Sequence, residues 1–202
     1  LLSGGVCQVS SCIAMELRLG AGQLYPADKD FKADPNQLSA ELAFDFFGPA
    51  AIGIGGRYIN FGEISEDFGI LDITKYERRI DGWGTYLLGK FQPKIGEETK
   101  IAPFVSAATG IHITYPSVKL KYLDGSHYRT VEGTSPSKTV PFVMFSGGIE
   151  LLFSKVGVFV QGSYIKSAEV PYHTFKVLNR EVSPGGKVDP SGWQVYVGLA
   201  FH

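Results

Sequence analysis

No run of about 18 apolar residues occurs anywhere in this chain, so no segment can cross a bilayer as a helix. Charge is also sparse. The charged fraction is 19%, and 19 Lys and Arg against 20 Asp and Glu leave a net charge of −1. With no basic field, the electrostatic footprint of a nucleic-acid-binding protein is missing. Methionine and cysteine occur twice each. No metal-ligand spacing, phosphate loop or nucleotide motif appears, so neither a metal ion nor a cofactor is expected. Gly53-x-Gly55-Gly56 has the letters of a dinucleotide turn but no helix pattern after it.

Glycine and aromatic residues are what the chain has in quantity: 25 glycines, and 13% Phe, Trp and Tyr. Its 202 residues suffice for one large all-β domain or two small ones. The last stretch, GWQVYVGLAFH, sets the pattern. Trp193, Val195, Val197, Leu199 and Phe201 fall on one face of a strand, and Gln194, Tyr196, Gly198 and Ala200 on the other. One face is wholly apolar with an aromatic at each end; the other is small or polar. A soluble sheet also alternates, with its apolar face in a core. Here the opposite face repeatedly carries ionisable groups, which fits a closed barrel in lipid, apolar outside and polar inside.

The same alternation predicts seven further strands: Met15 to Gly22, Leu38 to Phe47, Ala51 to Phe61, Trp83 to Gln92, Ile101 to Tyr115, Val140 to Phe153 and Val156 to Lys166. Long connections follow the first, third, fifth and seventh strands, and short ones the second, fourth and sixth. The third long connection carries its own hairpin signal at Asp124-Gly125; ten strands would result if that hairpin entered the membrane, whereas the alternation of Ile64 to Ile80, Val118 to Val131 and Tyr172 to Val182 could extend the sheet as a rim above it. Aromatics sort into two levels where rings would meet headgroups. Phe61, Trp83, Tyr115, Tyr164 and Trp193 lie toward the long loops; Phe46, Phe91, Phe104, Phe153 and Phe201 lie toward the turns.

An unpaired N–H or C=O costs several kcal/mol in hydrocarbon, so the first and last strands must pair. About eight strands leave an interior just filled by side chains. The polar network expected there comprises Glu16, Arg18, Glu41, Asp45, Arg57, Lys90, His112 and Glu150, with Gln161 and Gln194. An unpaired buried charge is costly, so Arg18, Arg57 and Lys90 should each touch a carboxylate. His112 should sit beside Glu150 or Asp45.

This layout resembles the eight-stranded bacterial outer-membrane barrels, the class of the OmpA transmembrane domain, OmpX and OmpW, over Met15 to Phe201. The likeness is architectural and rests on no family motif. It implies an all-β, antiparallel up-and-down transmembrane barrel in the outer membrane of a Gram-negative cell. Residues 15–202 would form the barrel with four long extracellular loops, residues 1–14 a periplasmic segment, and both termini would be periplasmic. The terminal aromatic read by the insertion machinery is matched in kind by Phe201, although His202 follows it. In the first segment Cys7 and Cys12 could be joined by a disulfide or be two buried thiols, and Val9 to Cys12 resembles a lipobox with Cys12 acylated.

Four functions follow, in order of preference. The first is a non-enzymatic structural or interaction protein of scaffold or adhesion type, within a larger assembly. Its partners would be outer-membrane lipid and a protein, met through the loops or the N-terminal segment. The hairpin residues Lys119, Lys121, Tyr122, His127, Tyr128 and Arg129 would form the extracellular contact. The second is a narrow, porin-like pore for ions or small apolar solutes, gated by Glu16/Arg18 and Arg57/Lys90. The third is a lipid A acyl-modifying enzyme built on Ser126, His127, Glu169 and His173 at the rim. The fourth is a soluble lipocalin-like binder, whose apolar face would point inward.

Overall fold

A computed structural model describes residues 14–27, 37–47, 49–66, 73–93, 100–124, 126–134, 136–171, 175–177, 180–182 and 187–202. Among these, every regular element is a strand: β1 (Ala14–Pro26), β2 (Gln37–Phe47), β3 (Ala50–Glu66), β4 (Ile73–Phe91), β5 (Lys100–Asp124), β6 (His127–Thr134), β7 (Lys138–Phe153) and β8 (Val156–Ser167). The short pieces β9 (Val170–Pro171), β10 (Phe175–Val177), β11 (Arg180–Val182) and β12 (Lys187–Val188) precede β13 (Gly192–Phe201).

Eight strands pair antiparallel, each with its chain neighbour, and the ring closes where β1 meets β13, from Leu17 opposite Phe201 to Pro26 opposite Gly192. The barrel is therefore a closed up-and-down sheet of β1, β2, β3, β4, β5, β7, β8 and β13, with no edge in its wall. β5 pairs with β7 over Lys100–Thr114 and with β6 over Ser117–Asp124, so the hairpin of β5 and β6 stands above the barrel wall. The ten-stranded alternative is not realised. A two-residue turn, Ser154-Lys155, joins β7 to β8, and Ser154 has a φ of 62°.

The alternating pattern sorts as expected. Leu17, Leu19, Ile52, Ile54, Leu87, Val105, Phe145, Val158, Val197 and Leu199 all face out and are exposed, while Glu16, Arg18, Arg57, Lys90, His112, Glu150, Gln161 and Gln194 are buried. The apolar face points outward, which rules out the lipocalin arrangement. Trp83, Tyr115 and Trp193 stand exposed toward the loops, and Phe91, Phe153 and Phe201 toward the turns. Phe104 departs from the expected girdle. It points inward and packs edge-on against Phe159, with ring centroids 6.5 Å apart, because it is one residue out of phase with its outward neighbour Val105. The side chains of Phe46 and Phe61 fall outside the described residues, as do Cys7 and Cys12.

Beyond the girdle the strands continue past their expected bounds into the segments whose alternation pointed to a rim, β3 to Glu66, β4 back to Ile73 and β5 to Asp124. Their alternation keeps its phase, but its polarity inverts. On β5 the outward series Ile111, Ile113, Tyr115 gives way to exposed Lys119 and Lys121, while inward His112 and Thr114 give way to buried Val118 and Leu120. On β4, Trp83 is followed outward by Asp81 and Arg79, with Ile80 buried inside. Leu24, Ile59, Ile165 and Val170 are likewise at most 1% exposed at this end. The same sheet thus obeys the rule of a membrane barrel below Tyr115 and of a water-soluble fold above it.

Candidate functional site: a filled barrel interior and an ordered rim

The interior holds two polar tiers. The lower one, toward the turns, is built from β1, β4, β5, β7, β8 and the chain end. Arg18 is its centre. It donates to Glu16, to Glu150 and, at 3.2 Å, to Gln92 Oε1. Its guanidinium lies 4.1 Å from the Phe104 ring centroid and 5.1 Å from that of Phe159. Lys90 pairs with Glu16, and Gln92 Nε2 donates to Glu150 Oε2 at 2.8 Å. His202 reaches Glu150 Oε1 at 2.5 Å, and its backbone N–H donates to the Lys155 carbonyl at 2.9 Å. Two carboxylates, a guanidinium and an ammonium, with Gln92 and His202 on Glu150, plug this level. Buried charge is tolerated in this form because every group keeps its partners.

Glu16, Glu150 and His202 bring ligand-type atoms within 4.8 Å of one another. The two carboxylates are already occupied by Arg18 and Lys90, so this donor set does not fit a cation.

The upper tier centres on Arg57, and here two expectations fail. Arg57 has no carboxylate within ion-pair distance among the described residues. It donates through Nε to His112 Nε2 at 3.0 Å and through Nη1 to Gln194 Oε1 at 3.2 Å and to the Met144 sulfur at 3.4 Å. Its guanidinium sits 4.5 Å from the Phe142 centroid. The carboxylate nearest in kind, Glu41, is taken by the Tyr86 hydroxyl at 2.7 Å. Ring faces and neutral acceptors therefore disperse this charge. His112 is beside Arg57, not Glu150 or Asp45, and stacks on Phe142 with centroids 4.0 Å apart and planes at 11°. Because Nε2 accepts from Arg57, the ring proton belongs on Nδ1 and the imidazole is neutral. The Asp45 side chain lies outside the described residues.

Interior aromatics were readable from strand parity but not from a list of charges. Tyr86, Phe104, Phe142, Phe159 and Tyr196 are all at most 5% exposed. Glycines opposite them make the room. A Cβ at Gly55 would lie 2.2 Å from the Tyr86 ring, and one at Gly84 would lie 2.4 Å from the His112 ring.

At the rim, the hairpin residues expected as an extracellular contact all stand on β5 and β6. Lys119 pairs with Glu132 at 3.1 Å, Lys121 lies 5.0 Å above the Tyr128 ring, and Tyr122 is in register with Arg129. His127, Tyr128 and Arg129 are exposed. Tyr128, at 62% exposed, is the large solvent-facing aromatic of this hairpin. Among the described residues, the members of the candidate catalytic set are not brought together. Ser126 Oγ is 3.2 Å from His127 Nδ1 at an exposed hairpin tip, Glu169 pairs instead with Lys187 at 3.0 Å, and His173 lies outside the described residues.

No protein-family model and no curated protein matches this chain. Solved structures of similar outline include Ail, the attachment invasion locus protein of Yersinia pestis (10% identity, 94% of this chain and 95% of that one, TM-score 0.38). The N-terminal β-barrel domain of Pseudomonas aeruginosa OprF is another (10% identity, 92% and 96%, TM-score 0.41). OmpT of Vibrio cholerae is a third (16% identity, 94% and 79%, TM-score 0.21).

Proposed function

We propose that this chain is an outer-membrane barrel of a Gram-negative bacterium with a structural or adhesive role, exercised through the folded rim it raises above the membrane. Both termini lie on the periplasmic side in this reading. The observation that carries it is the inversion of polarity at Tyr115: below it an apolar exterior suits hydrocarbon, above it a buried apolar core and a charged exterior suit water. A chain that only needed to anchor itself would have no use for a packed rim. Loop residues held by strand pairing present a fixed surface, which lowers the entropy lost on binding.

The test is co-purification. Native protein extracted in mild detergent is expected to carry a stoichiometric companion chain. Replacing Lys119 to Arg129 by a short Gly-Ser linker should release that companion while the barrel stays folded, as read by its heat-modifiable gel mobility. A companion retained at full stoichiometry would refute the hairpin as the contact. A pore is disfavoured by the two filled tiers and by the apolar core above them. Currents in planar bilayers that vanish when Arg57 or Lys90 is altered would reverse that preference.

A further inference from the structure

The upper tier keeps a charge that its own contacts do not cancel. Arg57 is 2% exposed and has no carboxylate within ion-pair distance among the described residues. The groups that meet its guanidinium, His112, Gln194, Met144 and the Phe142 ring, are all neutral. Glu41 is half-buried and gives its Oε1 to the Tyr86 hydroxyl. Neutral neighbours spread the charge without removing it, and a buried cation without a counter-charge is costly.

Beside that charge stand buried donors with nothing to donate to. Gln194 is 1% exposed. Its Oε1 accepts from Arg57 Nη1 at 3.2 Å and from the Tyr196 hydroxyl at 2.9 Å. Those two donors fix the amide, because turning it over would set N–H against N–H. Its Nε2 is left with no hydrogen-bond partner among the described residues. Gln37, whose Oε1 lies 3.3 Å from the same Tyr196 hydroxyl, also ends in an Nε2 without a partner. Ser146 Oγ has none either, and Ser146, Ser163 and Gln194 lie side by side in register on β7, β8 and β13, all buried. Buried polar atoms in folded proteins are nearly always satisfied, and an exception on this scale points to a bound group.

The chemistry of these atoms selects the group. The site is rich in protons and poor in acceptors. A water molecule would accept here, but its own two protons would then need acceptors, and Gln194 Oε1 is already taken by Arg57 and Tyr196. A monovalent anion accepts from every side, donates nothing and supplies the missing counter-charge. We propose that the upper tier binds one small inorganic anion of the halide class, held between the Arg57 guanidinium and Gln194 Nε2, with Gln37 and Ser146 facing it. The site lies inside the barrel and is independent of the role of the rim.

The test uses the full chain, folded in detergent and crystallised from sodium bromide, with bromine located by its anomalous scattering. One interior peak is expected within hydrogen-bond reach of Arg57 and Gln194 Nε2. Arg57→Met should abolish it, and Gln194→Leu should lower its occupancy several-fold. Lys119→Ala, at an exposed ion pair on the rim, should leave it unchanged. Heat-modifiable mobility confirms that each variant is folded, and Gln194→Leu carries the test alone if Arg57→Met does not fold. Bromine at surface side chains and nowhere inside, an adventitious ion only, would overturn the proposal. Density at the site without an anomalous signal would give it to water and overturn the proposal too. So would a peak of full height in folded Arg57→Met or Gln194→Leu.

Discussion

At the scale of single residues, Arg18 is where the interior is most exposed to damage. It compensates Glu16 and Glu150 together, and all three are buried. Arg18→Met would leave Glu16 to Lys90 and Glu150 to Gln92 and His202, a loss of about 3–5 kcal/mol. Chemical unfolding in detergent checks this; a loss below about 1 kcal/mol would mean that water reaches the tier. Ser154 makes a second test. A positive φ at the first central residue of a two-residue hairpin suits glycine, so Ser154→Gly should stabilise the barrel by about 1 kcal/mol in the same assay. A third concerns pH. Burial alone would raise the Asp189 carboxyl, but hydrogen bonds from Ser191 and the Lys166 ammonium at 2.9 Å outweigh it and hold it below its ordinary value. A lowered acid contributes stability above its unfolded pKa and loses it as pH falls through the folded one. The segment before β13 should therefore become sensitive to limited proteolysis as acid is added, and Asp189→Asn should already be sensitive at neutral pH and respond little to acid.

Strands show best what could be read from the letters. Period-two alternation between Met15 and Gly22, or between Trp193 and Phe201, has one interpretation once the other face carries charge, so strand number and order were legible, and facing too except where Phe104 was assigned to the girdle by its level and not by its parity. The exact ends were less so: the alternation beyond the span pointed to a rim without bounding it, and on the described outer parts of β4 and β5 the alternation runs with reversed polarity. Lys119 and Lys121, which the hairpin signal already contained, are the outward half of a strand whose inward half is Val118 and Leu120. Partner choice inside the barrel was illegible too. Which acid meets which base depends on stagger between strands, and parity alone could not show that Arg57 would find His112, Gln194 and Phe142 instead of a carboxylate. The inversion makes its own prediction. Val118→Asp should place a charge in the rim core and open the β5–β6 hairpin to protease at a cost of several kcal/mol locally, with the heat-modifiable barrel intact. Loss of the whole barrel would show that rim and wall fold as one unit.

For the molecule as a whole, ring closure, an apolar belt between two aromatic levels, a filled polar interior and an apolar cap are parts of one arrangement. Each would be unstable in the other's solvent: the belt in water, the rim in lipid. That mutual dependence fixes the height of the barrel in the bilayer at Trp83, Tyr115 and Trp193 without reference to any relative. The most direct measurement is fractionation of cells that make the native protein, followed by washing of the membranes with alkaline carbonate and extraction in mild detergent. The expected result is recovery with the outer membrane, resistance to carbonate and release only by detergent. Recovery in the soluble fraction would contradict the assignment of the apolar belt to lipid and, with it, the function built on that belt.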